Sequence, residues 1–287
     1  MKGLKQSISS TKKAVNNADE CSSAPASFLY SRLSHFQAPF YQQAGVPPYL
    51  DKKMKFILFL FSLISGHALA LTLTTEDYPP FNIVDPKTQK VSGISTEKVS
   101  EVMRRSKEAF TITPYPWLRA FQLAQKETDT CVFSTTRTPE REALFKWVGP
   151  LVKNNWYIFA RTGDTRSPKN LKELKAYTIG AYRGDAIAEY LEKNGFKTDL
   201  AKADEDNPQK LLSNRFDFWA SGELLGLYLL KRKNLSDKII PILLFNQTEM
   251  YLACNLKTSQ AKIDNFNKTL QDMDKDGTNL AIENKYH

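Results

Sequence analysis

Two stretches of this 287-residue sequence crowd together side chains that could do chemistry. In Ser134-Thr135-Thr136-Arg137-Thr138-Pro139-Glu140-Arg141, hydroxyls and two arginines gather at the end of a strand-like run. A guanidinium is a planar fork of donors that fits a carboxylate, and neighbouring hydroxyls fill the acceptor positions left open. The same stretch reads as a loop and helix start carrying solvated arginines. In Gly180–Asp185 a strand passes into a helix whose first N–H groups lack partners and suit an anion. An ordinary strand–helix junction with Asp185 as cap also accounts for these residues, and the Arg183-Gly184-Asp185 tripeptide needs no adhesive role.

Other chemistry is missing. The three histidines are His35, His67 and His287, so residues 71–286 contain none. Ser-His-Asp triads, Cys-His pairs and His-ligated zinc all need one. No GxxxxGK[ST], GxGxxG or GxSxG motif occurs after residue 70. Neither a cofactor nor a metal site is expected. The formal charge of +9 is uneven, with +5 in residues 1–70 and +4 scattered among acids beyond them. That distribution is a solvated, mildly basic surface rather than a nucleic-acid footprint.

The elements that must position these residues alternate. Strand-like runs at Leu71–Thr75, Cys131–Ser134, Trp156–Ala160, Tyr177–Tyr182, Phe216–Ala220 and Met250–Asn255 are interleaved with helical spacing. Ser95 caps a predicted helix with Val99, Val102, Met103 and Phe110 on its apolar side, and Trp117, Phe121 and Ala124 mark the next. Helices are further predicted after Asp185, from Asn207-Pro208, over Glu223–Lys231, and over a stripe of Ile263, Phe266, Leu270 and Met273. Strands alternating with helices predict an α/β fold with largely parallel sheets.

Residues 54–70 read as a signal peptide: a basic start, the apolar run Phe56–Ile64, and Ala68-Leu69-Ala70 as a cleavage site after Ala70. Export to the periplasm is the expectation, without a lipid anchor because Leu71 rather than Cys follows. Residues 1–53 lack sustained periodicity and read as a non-domain leader, or as a start assigned upstream of Met54. An oxidising compartment permits a Cys131–Cys254 disulfide, but each cysteine sits in an apolar strand-like run, and two buried free thiols are the expectation.

Four motifs stand in a fixed order: Thr75-Glu76-Asp77-Tyr78-Pro79-Pro80-Phe81; Thr138-Pro139-Glu140-Arg141 with Phe145 and Gly149-Pro150; Leu171–Asp185; and Asp276-Gly277-Thr278 to Lys285-Tyr286. Through them the chain from about residue 72 onward resembles the family 3 extracellular solute-binding proteins, which include the periplasmic amino-acid-binding proteins of ABC importers. The resemblance implies a type II periplasmic-binding-protein fold, with lobe 1 at 71–157 plus 254–287, lobe 2 at 158–253, and Trp156–Ala160 and Tyr251–Cys254 as hinge strands. It implies a monomer that gives a small polar solute, an amino acid or related carboxylate, to an inner-membrane ABC permease, with no nucleic-acid partner.

Matched residue by residue, Arg141 takes the carboxylate-gripping position, flanked by Ser134 and Thr136, with Arg137 and Arg119 as fallbacks. Tyr78 and Trp117 match the aromatic wall, and Asp185 and Ala186 the second lobe's contribution, although Ala186 brings no hydroxyl. The acid that pairs with a ligand ammonium in the family is Gly222 here, so either Glu223 or Asp185 replaces it or the ligand lacks a standard α-amino group, with Tyr182 as a further aromatic. Two other functions stay open: a periplasmic enzyme on this fold, dehydratase-like, and a ligand-sensing partner of a membrane receptor.

Overall fold

The computed structural model describes residues 70–286. The expected signal peptide and leader therefore lie outside the described residues, apart from exposed Ala70. One eight-stranded mixed sheet organises the chain. Its strands are β1 (Leu71–Thr75), β4 (Phe110–Pro114), β5 (Thr130–Thr136), β6 (Lys146–Arg161), β7 (Thr178–Tyr182), β8 (Lys197–Ala201), β9 (Phe218–Gly222) and β10 (Ile239–Cys254), in the order β4-β1-β5-β10-β6-β9-β7-β8. A small hairpin, β2 (Ile83–Val84) with β3 (Val91–Ser92), stands apart. At one end β4, β1 and β5 run parallel, and at the other β9, β7 and β8 do.

Between the two parallel groups lie β6 and β10, 16 residues each and antiparallel from Ile239↔Arg161 to Cys254↔Lys146. Each spans about 50 Å at 3.3 Å per residue, so one pair serves both ends of the sheet. Three register shifts, between Pro241/Leu243, Leu244/Asn246 and Met250/Leu252, interrupt the ladder. Such bulges bend and twist a strand, which lets the two ends of the sheet face one another.

The period of two along each strand sorts side chains onto two faces. Cys131, Phe133, Phe159 and Trp219 point to one face, packed with α1 (Ile94–Arg105), α5 (Glu223–Arg232) and α6 (Gln260–Lys275). Their neighbours point the other way: Val132 to Trp117, Ala120 and Ala124 of α2 (Trp117–Lys126), and Phe218 and Ala220 to Ile187 and Leu191 of α3 (Ala186–Lys193). Two short helices, α4 (Asn207–Leu212) and α7 (Thr278–Glu283), complete the fold.

Several expectations shift. Phe110 opens β4 rather than closing a helix, because α1 ends at Arg105. Gly93, not Ser95, is the N-cap of α1, and the Ser95 hydroxyl is buried without a partner among the described residues. The predicted strand at Phe216–Ala220 sits two residues later, at Phe218–Gly222. Asp185 holds the N-cap position of α3 without a side-chain cap bond.

The expectation of two free thiols is wrong: Cys131 and Cys254 form a disulfide. They are register partners on the antiparallel β5 and β10, with Cα atoms 3.9 Å apart and both side chains on one face. Their apolar surroundings misled because 123 residues of chain separate them, a pairing local sequence cannot display. Closing so long a loop stabilises by about 5 kcal/mol in the chain-entropy account. Reduction should lower the melting temperature by roughly 10 °C or more, and unreduced, denatured protein should yield no thiol from either cysteine. An unchanged melting temperature with both thiols titratable would contradict the pairing.

Candidate functional site

The sequence-derived site residues fall at the carboxyl ends of parallel strands, where the crevice of an α/β sheet lies. Tyr78 follows β1, Trp117 opens α2 just after β4, and Ser134 and Thr136 end β5. From the other end of the sheet come Tyr182 at the end of β7, Asp185 and Ala186 at the start of α3, and Gly222 at the end of β9. Two sets more than 40 residues apart thus converge.

Their meeting point is the carbonyl of Gly184. It accepts hydrogen bonds from Trp117 Nε1 at 2.7 Å and from Arg141 Nη2 at 3.2 Å. Gly184 has φ of +79°, and a Cβ there would stand 2.4 Å from Leu118 Cδ2. Only glycine combines this left-handed turn with so close an approach. The Tyr182 hydroxyl donates to Glu76 Oε2 at 2.9 Å, and Lys193 pairs with Glu140.

Arg141 is 3% exposed and already holds a carboxylate. Its Nη2 lies 2.9 Å from Glu189 Oε2, and its guanidinium stacks 5.0 Å from the Phe121 ring and 5.6 Å from that of Trp117. Of the fallback arginines, Arg137 pairs with Glu142 at the rim, and Arg119 lies over Tyr115. Ser134, at φ +59°, bonds Asn82 Oδ1, and Thr136 is buried. Glu223 reaches away, to Asn155 Nδ2 at 3.0 Å. Gly222 is required for space, since a Cβ would stand 2.7 Å from Asn154 Oδ1 and 2.9 Å from the Tyr78 hydroxyl.

Two hollows flank this meeting point. One of about 640 Å³ is lined by Phe121, Thr138, Arg141, Trp156, Ala186 and Glu189, and Trp156 Nε1 is buried there without a hydrogen-bond partner among the described residues. The other, about 210 Å³, is lined by Glu76, Tyr78, Tyr182, Asp204 and Glu205 among others. Sequence reasoning assigned no role to Glu76, Asn154, Glu189 or Asp204. Glu76 stood inside a quoted motif, whereas Glu189 and Asp204 carried no local signal. Asp204 accepts from Asn207, Trp219 and Ser221 and anchors the end of β9.

Burial dominates the electrostatics. It pushes Asp185 up to about 7 against the pull of the Arg141 guanidinium, with Asp204 and Glu189 adding to the rise. It likewise raises Glu76, against the Tyr182 hydrogen bond, and Asp204. Such shifts mark functional sites more often than they mark ordinary surface.

Residues 71–287 match the model of the bacterial extracellular solute-binding proteins, family 3. The chain belongs to that family. The L-cystine-binding protein TcyJ of Escherichia coli strain K12 is 23% identical over 212 residues, 73% of this chain and 79% of that one. A histidine kinase sensor domain with similarity to periplasmic binding proteins superposes with a TM-score of 0.70 at 18% identity, covering 76% of this chain and 96% of its own. An ancestral arginine-binding protein bound to arginine gives 0.65 at 21%, covering 76% and 97%. The fold is the type II periplasmic-binding-protein fold expected from sequence. Among the described residues no helix is long and apolar enough to cross a membrane.

The raised carboxyls set a pH dependence. Asp185 binds its proton more tightly folded than unfolded, so stability falls as pH rises from about 4 to about 7, by at most about 1.4 kcal/mol per pH unit. Urea midpoints of ligand-free protein should decline from pH 5 to pH 8, and Asp185→Asn should decline less. Equal declines would show that Asp185 titrates alike in both states.

Proposed function

We propose that the chain is exported through a cleaved signal peptide at residues 54–70 and, in the periplasm, captures a small polar solute of amino-acid size for an inner-membrane ABC importer. The solute would lie between two lobes, residues 71–157 with 254–287 and residues 158–253, hinged on β6 and β10. Closure would bring the lobes into the shape a permease recognises. The protein would act as a monomer, without nucleic acid and without catalysing a reaction.

The contact that carries this reading is the double grip of Trp117 and Arg141 on the Gly184 carbonyl, because it joins the two ends of the sheet across the crevice. Membership of a solute-binding family over residues 71–287 supports it, as does kinship with a relative named for binding L-cystine. In the loaded state Tyr78, Trp117 and Tyr182 would wall the solute, Ser134, Thr136, Ala186 and Gly222 would present hydroxyls and backbone, and Asp185 would face its positive end. Glu223, turned towards Asn155, would reach the solute only by changing rotamer. Arg141 would exchange Glu189 for a carboxylate on a solute that carries one, since one buried guanidinium can satisfy either.

Mass spectrometry of small molecules released from purified protein by mild denaturation should reveal a stoichiometric polar solute. Its titration back into the stripped protein should weaken by roughly 30- to 1,000-fold in Arg141→Ala, the range of about 2–4 kcal/mol for a lost charge-assisted partner. A folded Arg141→Ala protein with unchanged affinity would remove Arg141 from the site. A preparation that never carries or binds a solute would contradict the reading itself.

A further inference from the structure

The larger hollow is lined by none of Tyr78, Trp117, Ser134, Thr136, Asp185 or Gly222, so it stands apart from most of the residues assigned to the solute. Its walls include the middle of the two long strands, where Trp156 of β6 and Asn246 of β10 are register partners. Phe121 of α2 and Tyr190 of α3 add aromatic surface from the two ends of the sheet. At about 640 Å³ it falls within the roughly 300–1,000 Å³ typical of small-molecule sites.

Charge at these walls is settled within the chain. Arg141 pairs with Glu189, Lys193 with Glu140 and Arg137 with Glu142, so every charged side chain lining the hollow is already in an ion pair. A charged occupant would have to break a pair and leave one member without its counter-ion. Hydrogen bonding is not settled. Three of the four tryptophans place Nε1 on an acceptor: Trp117 on the Gly184 carbonyl, Trp147 on the Glu142 carbonyl and Trp219 on Asp204 Oδ1. Trp156, 1% exposed, has no acceptor among the described residues. A buried indole N–H ordinarily finds a partner, and one left without costs free energy. The missing element is an acceptor that carries no charge.

We propose that this hollow is a second binding site, for an uncharged planar ring that presents an oxygen or nitrogen acceptor to Trp156 Nε1. The ring packs among Trp156, Tyr190 and Phe121 in the offset or edge-to-face contacts that aromatic faces favour, and its edge supplies the acceptor. Arg141 keeps Glu189 throughout, so the site differs in kind from one that grips a carboxylate. It goes beyond the solute-binding reading, because its occupant is a second molecule and not a part of the transported solute.

The full chain, labelled with nitrogen-15 and stripped of solute by unfolding and refolding, is titrated with benzamide and nicotinamide, uncharged rings that carry a carbonyl acceptor. Toluene lacks the acceptor, and benzoate and benzylamine carry charge. In proton–nitrogen spectra the Trp156 indole signal, identified by its loss in Trp156→Phe, should move downfield saturably with benzamide or nicotinamide. The signals of Trp117, Trp147 and Trp219, already hydrogen-bonded, should move less. By calorimetry the three control compounds should bind about tenfold or more weakly than the better amide, and Trp156→Phe should weaken that amide by about tenfold. If Trp156→Phe fails to fold, the wild-type signals are assigned by triple-resonance spectra, and the comparison of amide with toluene decides. No saturable movement of the Trp156 signal with either amide, toluene or a charged compound equal to the amides, or unchanged affinity in folded Trp156→Phe would overturn the site. The co-purified solute is then added to protein saturated with amide. Both bound together supports two sites, whereas a solute that displaces the amide and itself moves the Trp156 signal would overturn the second site and leave solute binding in place.

Discussion

The carbonyl of Gly184 can be approached from across the crevice because its residue has no side chain and turns left-handed, and the rest of the site depends on that approach. Trp117 and Arg141 close on this one acceptor from different elements, which brings α3 against α2 and the loop after β5. With α3 in place, Glu189 reaches Arg141, Lys193 reaches Glu140 and Tyr182 reaches Glu76. Trp117 is itself braced by a chain of aromatic rings, Phe121, Phe145, Trp147 and Tyr251, with successive centroids 5.0–5.9 Å apart. That chain runs from α2 to β10, so the grip on Gly184 is tied to one of the two long strands shared by both ends of the sheet.

The same closeness makes the crevice a place of low polarisability, and charges there are governed by what they meet. Arg141 is buried yet satisfied, by a carboxylate, a carbonyl and two aromatic faces. Asp204 is buried yet satisfied by three neutral donors, a structural use of a carboxylate. Glu76 and Asp185 are half-buried with fewer partners, and desolvation raises their proton affinity. The fold therefore separates acids held by several donors from acids with few partners among the described residues.

Much of this was legible in the sequence because the information was local. The period-two runs at Leu71–Thr75 and Tyr177–Tyr182, the stripe of Ile263, Phe266, Leu270 and Met273, and the quoted motifs around Tyr78 and Arg141 are short-range patterns that lie on their elements as expected. What was not legible depends on distant partners. Cys131 meets Cys254 through β5–β10 register, and Arg141 meets Glu189 through closure of the crevice. Phe110 looked like the end of a helical stripe because strand and helix patterns cannot be separated at a single boundary residue, and β9 slipped two residues for the same reason. Glu223 was favoured by its place after a strand, yet its carboxylate turns to Asn155, a direction set by packing.

The central claim is that one solute is held between the two ends of the sheet. A crystal structure of the protein carrying its co-purified solute tests this most directly. The account predicts density enclosed between Tyr78 and Tyr182, touching residues from the β1–β5 end and the β7–β9 end at once, with the Trp117–Gly184 bond intact. Solute bound to one end alone, or outside the crevice with that bond broken, would contradict it.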